Sequence, residues 1–131
     1  MLVAVAAVAA AAVSWSGNKI LTRLWKTEGI MFITPLLEET AKTLSAVLLQ
    51  QSVVLVHGAF GVIEAGYDLT IKKQTSPIAA LVSLLGHLFY GIITLLGFMK
   101  WGTWPGIMLA YAAHTFWNVF ILKALRDRQV S

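Results

Sequence analysis

The chain has 131 residues, of which 58% are hydrophobic and only 12% charged, with a mean hydropathy of +0.77. Soluble domains run about 45–50% apolar and about 25% charged, and a water-facing surface for a chain of this size cannot be covered with so few charges. The composition therefore reads as an integral membrane protein; the absence of Cys excludes a disulfide scaffold, and the formal excess of +4 is better explained by basic residues at the ends of membrane spans than by nucleic acid, so no nucleic-acid partner is expected.

A hydrocarbon core of about 30 Å takes roughly 20 apolar residues per helix, so at most five crossings fit. Residues 1–13 form an uncharged Ala/Val run, short for a span and without the basic start of a signal peptide. Residues 14–28 set Lys19, Arg23 and Lys26 among Ile20, Leu21, Leu24 and Trp25, the pattern of an amphipathic interfacial helix. Four further hydrophobic segments follow at residues 29–49, 52–69, 77–99 and 104–122, joined at 50–51, 70–76 and 100–103. Glycines within them, Gly58, Gly61, Gly86 and Gly91, suit close helix packing in lipid. The expected fold is all-α: one integral membrane domain over 1–131, a helical bundle of about five hydrophobic helices plus the interfacial connection at 14–28, with residues 29–122 as its core.

If five segments cross, Lys19, Arg23, Lys26, Lys72, Lys73, Lys123, Arg126 and Arg128 fall on one side and Lys100 alone on the other. The basic side is expected to be cytoplasmic, which places the C-terminus in the cytoplasm of a multi-pass protein of the cell membrane. Trp15, Trp25, Trp101 and Trp104 read as interface anchors.

Several residues do not belong in hydrocarbon. Segment two carries Glu38, Glu39 and Lys42, segment three His57 and Glu64, segment four His87, and segment five His114 with Asn118 one turn later. A charge at the bilayer centre costs about 2.5–3.5 kcal/mol on insertion scales and usually marks function. At about 1.5 Å rise per residue, Glu38 lies roughly 14 Å from the cytoplasmic helix end, Glu64 about 8 Å, His87 about 15 Å and His114 about 12 Å. Four helices of alternating direction thus bring polar groups to one layer. His57, about 18 Å deep, lies beyond it but on the face of Glu64. Simpler roles are also readable: Thr34 as an N-cap with Pro35 in the first turn, Lys42 as an i, i+4 ion-pair partner of Glu38, and Asp68 as a solvated loop acid. Two carboxylates and two imidazoles suit a divalent metal such as Zn²⁺, whose bound water would become a nucleophile at neutral pH, with a spare carboxylate as general base. The same groups also suit a metal-free site, in which a Glu activates water and His and Asn donate to an oxyanion.

The order Glu38-Glu39-x-x-Lys42, Phe60-x-x-x-Glu64, His87, His114-x-x-x-Asn118 resembles the PrsW-type intramembrane proteases, within the superfamily of CAAX prenyl proteases and bacteriocin-processing proteins. The resemblance covers roughly residues 35–118. It implies an intramembrane protease that hydrolyses peptide bonds of membrane-associated substrates, with Glu38 or Glu39 activating water, His114 and Asn118 in the catalytic site, and Glu64, His87 and His114 as metal ligands or polarising groups. The partners it implies are a membrane protein or peptide substrate and the bilayer itself, and a homodimer that completes the cavity walls is compatible with so few helices. The superfamily also holds non-catalytic members, so the competing reading is a polar-core membrane scaffold or a proton or metal transporter subunit.

Overall fold

The computed structural model describes residues 1–72 and 76–130; Lys73, in the expected basic connection, and Ser131 lie outside the described residues, as do the side chains of Lys26, Lys72, Arg126 and Arg128. Five long helices make up the described chain: α1 (Leu2–Glu28), α2 (Thr34–Leu48), α3 (Val53–Tyr67), α4 (Pro77–Trp101) and α5 (Thr103–Val130). Two π-helical segments, Gly29–Ile33 and Asp68–Lys72, precede α2 and follow α3. Among the described residues there is no strand, and three stretches are long and apolar enough to cross a membrane: Leu2–Trp25, Val53–Thr70 and Pro77–Trp101.

Residues 1–28 differ from the expectation of a short apolar run followed by a separate interfacial helix. Leu2–Glu28 is one continuous helix. Ser14 and Asn18 open the stretch expected at the interface, yet Ser14 is fully buried and Asn18 reaches Glu38 on α2. Polarity there marks an inward face, not a break. The Ala-rich first half supplies a smooth surface: Ala6 and Ala7 pack with Ala46, Val53 and Val56, while Ala10 and Ala11 pack with Phe60. Small side chains let helix backbones approach closely, the main packing device available in lipid. Gly17 against Leu37, with Ala6 and Ala7 against Ala46, shows α1 and α2 to be antiparallel neighbours.

Thr34 does not cap a new helix. Ile33 is already helical (φ −83°, ψ −39°), the preceding residues are π-helical, and Thr34 Oγ1 is buried without a hydrogen-bond partner. Pro35 supplies no N–H and its ring would crowd the carbonyl four residues back, and the wider π turn directly before it relieves that conflict. True caps occur where the chain does break: Ser52 Oγ accepts from Leu55 N at 3.4 Å, and Ser76 Oγ accepts from Ala79 N at 3.1 Å. Gly102, at φ +96°, makes the sharp turn between α4 and α5, a conformation that costs other residues about 1 kcal/mol or more.

The helix crossings are tight at particular glycines. A methyl on Gly91 of α4 would come within 2.8 Å of His57 Cβ on α3, and one on Gly106 of α5 within 2.6 Å of the Thr94 carbonyl oxygen on α4. Gly86 was expected to serve the same purpose and does not: a methyl there meets nothing nearer than the Tyr90 hydroxyl, 3.6 Å away on its own helix. The result is a molecule with its polarity inverted. Glu39, Lys42, Thr43 and His57 are completely buried, whereas Leu48 (78%), Phe116 (73%) and Leu96 (62%) are largely exposed. Such a surface suits hydrocarbon and would aggregate in water.

Candidate functional site

Glu38 and Glu39 are neighbours in sequence, and a helix separates consecutive side chains by about 100°. The two therefore have different surroundings. Glu39 points into the bundle and becomes its polar hub. Its Oε1 accepts from Lys42 Nζ at 2.6 Å and faces His114 Nδ1 at 2.9 Å, while Oε2 lies 3.5 Å from His57 Nδ1. Lys42 thus pairs with Glu39 at i, i+3 rather than with Glu38 at i, i+4. The expected Glu38 pairing fails because Glu38 is turned away toward α1, where Asn18 Nδ2 donates to its Oε1 at 3.4 Å.

Lys42 also reaches α4, with its Nζ 3.2 Å from His87 Nδ1, and sits 4.8 Å from the centre of the Phe60 ring, within cation–π range. The other nitrogen of His87, Nε2, bonds Glu64 Oε2 on α3. An amine has only N–H donors toward a ring nitrogen, so His87 Nδ1 accepts, and its hydrogen sits on Nε2 and is donated to Glu64. His114 stacks on Tyr90, with ring centres 4.7 Å apart and planes at 14°, and meets His87 edge-on at 5.9 Å. His57, expected beyond the polar layer, is drawn into it by Glu39 and by Thr43, whose Oγ1 lies 3.4 Å from His57 Nε2.

Four helices therefore contribute to one polar cluster, and a cavity of about 400 Å³ opens beside it. Its walls include Glu38, Glu64, His87, His114 and Asn118, the residues singled out from the sequence, together with Asn18 and Tyr90, which were not. Glu39 is not on the wall. A second polar space of about 450 Å³ shares Asn18, Glu38 and Glu64 with the first and adds Trp15, Lys19, Tyr67 and Asp68. Asp68 is consequently a half-buried wall residue on a π-helical turn, not a solvated loop acid. Tyr90 was legible in principle, being three residues from His87 and so on the same helix face.

The chemistry of the donors decides whether a metal fits. Both nitrogens of His87 are engaged, one by Lys42 and one by Glu64, and His114 Nδ1 is engaged by Glu39. A metal ligand must bring a lone pair to within about 2.0–2.2 Å of the ion. Among the described residues no three His, Asp or Glu side chains are grouped in that way. Glu64, His87 and His114 share a cavity wall, but they do not converge as a ligand triad in this arrangement.

What the cluster can do without a metal is clear from its parts. A carboxylate on a cavity wall can take a proton from a water that enters, and an amide and an imidazole on the same cavity can stabilise developing negative charge. No protein-family model, curated protein or solved structure matches this chain.

Proposed function

We propose that the protein is an intramembrane peptidase that hydrolyses peptide bonds of membrane-associated substrates with a water activated by Glu38. The observation that carries this reading is the cavity of about 400 Å³ lined by Glu38, His114 and Asn118 and large enough for a peptide unit and a water. Glu38 takes a proton from the water as it attacks the carbonyl carbon. The Asn118 amide donates to the oxygen that becomes negative. His114, its Nδ1 held by Glu39, lies on the wall of the same cavity. Proton return to the departing nitrogen completes cleavage. Glu64 and His87 line the same cavity and bind each other, so in this reading they shape the cavity and no step passes through a metal.

In the same reading α2 with its π-helical lead, and α5, cross the membrane alongside the three apolar stretches. Lys19, Arg23 and Lys123 then lie at the cytoplasmic end, and the C-terminus is cytoplasmic. Inversion of polarity supports this, since only a bundle surrounded by lipid gains from placing Glu39, Lys42 and His57 inside and Phe116 outside.

Hydrolysis is separable from binding by isotope. Purified protein in liposomes is incubated in H₂¹⁸O with a pool of peptides that each carry an apolar helix. New carboxyl termini containing ¹⁸O are expected with wild type and absent with Glu38→Gln. Peptide capture without new termini would contradict the peptidase and favour a scaffold.

A further inference from the structure

We propose that Lys42 is a built-in cation that takes the place of a metal ion in this site and, together with Glu64, holds His87 in one tautomer. Its Nζ lies between Glu39 Oε1, at 2.6 Å, and His87 Nδ1, at 3.2 Å, with Phe60 beneath it. Those two atoms are the kind of donors a zinc ion would take, one carboxylate oxygen and one imidazole nitrogen. A fully buried ammonium already holds both.

The consequences run outward along two chains of contact. Through His87, the ammonium claims the Nδ1 lone pair, which leaves the ring hydrogen on Nε2 and directs it at Glu64 on the cavity wall. Through Glu39, it balances the carboxylate that holds His114 Nδ1. One positive charge thus orients two imidazoles on two different helices, the positioning task that a metal or its surrounding carboxylates would otherwise perform. Lys42 itself does not reach the cavity, so it is a positioning residue and not a catalytic one. Its hold on the reaction rests on the peptidase reading, but its hold on the two histidines does not.

The test uses wild-type protein in detergent micelles with ¹⁵N-labelled histidine, His87 being assigned by its absence in His87→Gln. The expected spectrum shows the Nε2–H tautomer for His87, and protein purified from zinc-supplemented medium carries zinc well below one atom per chain. In Lys42→Arg the Nδ1 signal is retained, because a donor remains; in Lys42→Met Nδ1 loses its donor and its ¹⁵N signal moves to that of a free lone pair, while Nε2 keeps the hydrogen it gives to Glu64. Stoichiometric zinc in wild type, a Nδ1–H tautomer there, or an unchanged His87 signal in folded Lys42→Met would overturn the proposal. If Lys42→Met does not fold, the two wild-type measurements still decide. Neither requires a substrate, so failure to cleave any peptide would remove the peptidase reading and leave the role of Lys42 standing.

Discussion

Replacing Glu39 by Leu isolates the energetic centre of the bundle. Glu39 and Lys42 are both without solvent exposure and 2.6 Å apart. Removing the carboxylate leaves an ammonium in a dry interior with the His87 lone pair as its remaining close partner, and withdraws the acceptor for His114 Nδ1. Breaking a buried pair by deleting one member costs about 3–5 kcal/mol, whereas replacing both members with apolar residues of similar volume is often neutral or stabilising. At 1.4 kcal/mol per factor of ten, Glu39→Leu should lower the folded-to-unfolded ratio by roughly two to three and a half powers of ten. The double variant Glu39→Leu/Lys42→Met should recover most of that loss. Unfolding in mixed micelles, followed by circular dichroism at increasing SDS fraction, measures both. A loss below about 1 kcal/mol for the single variant, the range of an exposed pair, would show that the pair is hydrated. A double variant no more stable than the single one would show that packing, not charge, sets the cost.

Other expectations follow from specific contacts. Gly106→Ala forces a methyl to 2.6 Å from the Thr94 carbonyl oxygen and should cost about 1–3 kcal/mol in the same assay, while Gly86→Ala should change stability by less than about 0.5 kcal/mol. Tyr90→Phe keeps the stacked ring and should retain peptidase activity, whereas Tyr90→Ala frees His114 to tilt and should lower kcat more than it raises KM; equal rates for the two variants would show the stack to be irrelevant. A reporter fused after Ser131 should read as cytoplasmic, and an external readout would refute the charge-based orientation.

Much of the site was legible because membranes make polar residues conspicuous. Glu38, Glu64, His87, His114 and Asn118 stand out in apolar helices, and counting rise per residue from the helix ends is enough to bring the first four to one layer. What sequence could not supply was helix rotation. Glu38 and Glu39 are equivalent as letters, yet one lines the cavity and the other is sealed behind it, because α2 turns position 39 toward Lys42, His57 and His114. The same rotation chose i, i+3 over i, i+4 for Lys42. Ser14 and Asn18 sit beside three basic residues, a composition typical of an interface; only the burial of Ser14 and the bond from Asn18 to Glu38 on α2 show them to face inward. Gly86 and Gly106 illustrate the limit on packing. Both are glycines in apolar helices, but the partner helix lies over one and a cavity over the other.

The central claim is that Glu38 is the water-activating group and Glu39 the structural one. Its most direct test is the initial cleavage rate of one membrane-anchored peptide in liposomes, measured for wild type, Glu38→Gln and Glu39→Gln beside the unfolding midpoint of each. General-base catalysis contributes about 10²–10⁴-fold. Glu38→Gln should therefore lose at least about a hundredfold in rate with its midpoint unchanged, while Glu39→Gln should lower the midpoint and keep measurable turnover in the folded fraction. A Glu38→Gln protein that cleaves at the wild-type rate, or a Glu39→Gln protein that is fully stable and inactive, would contradict the assignment.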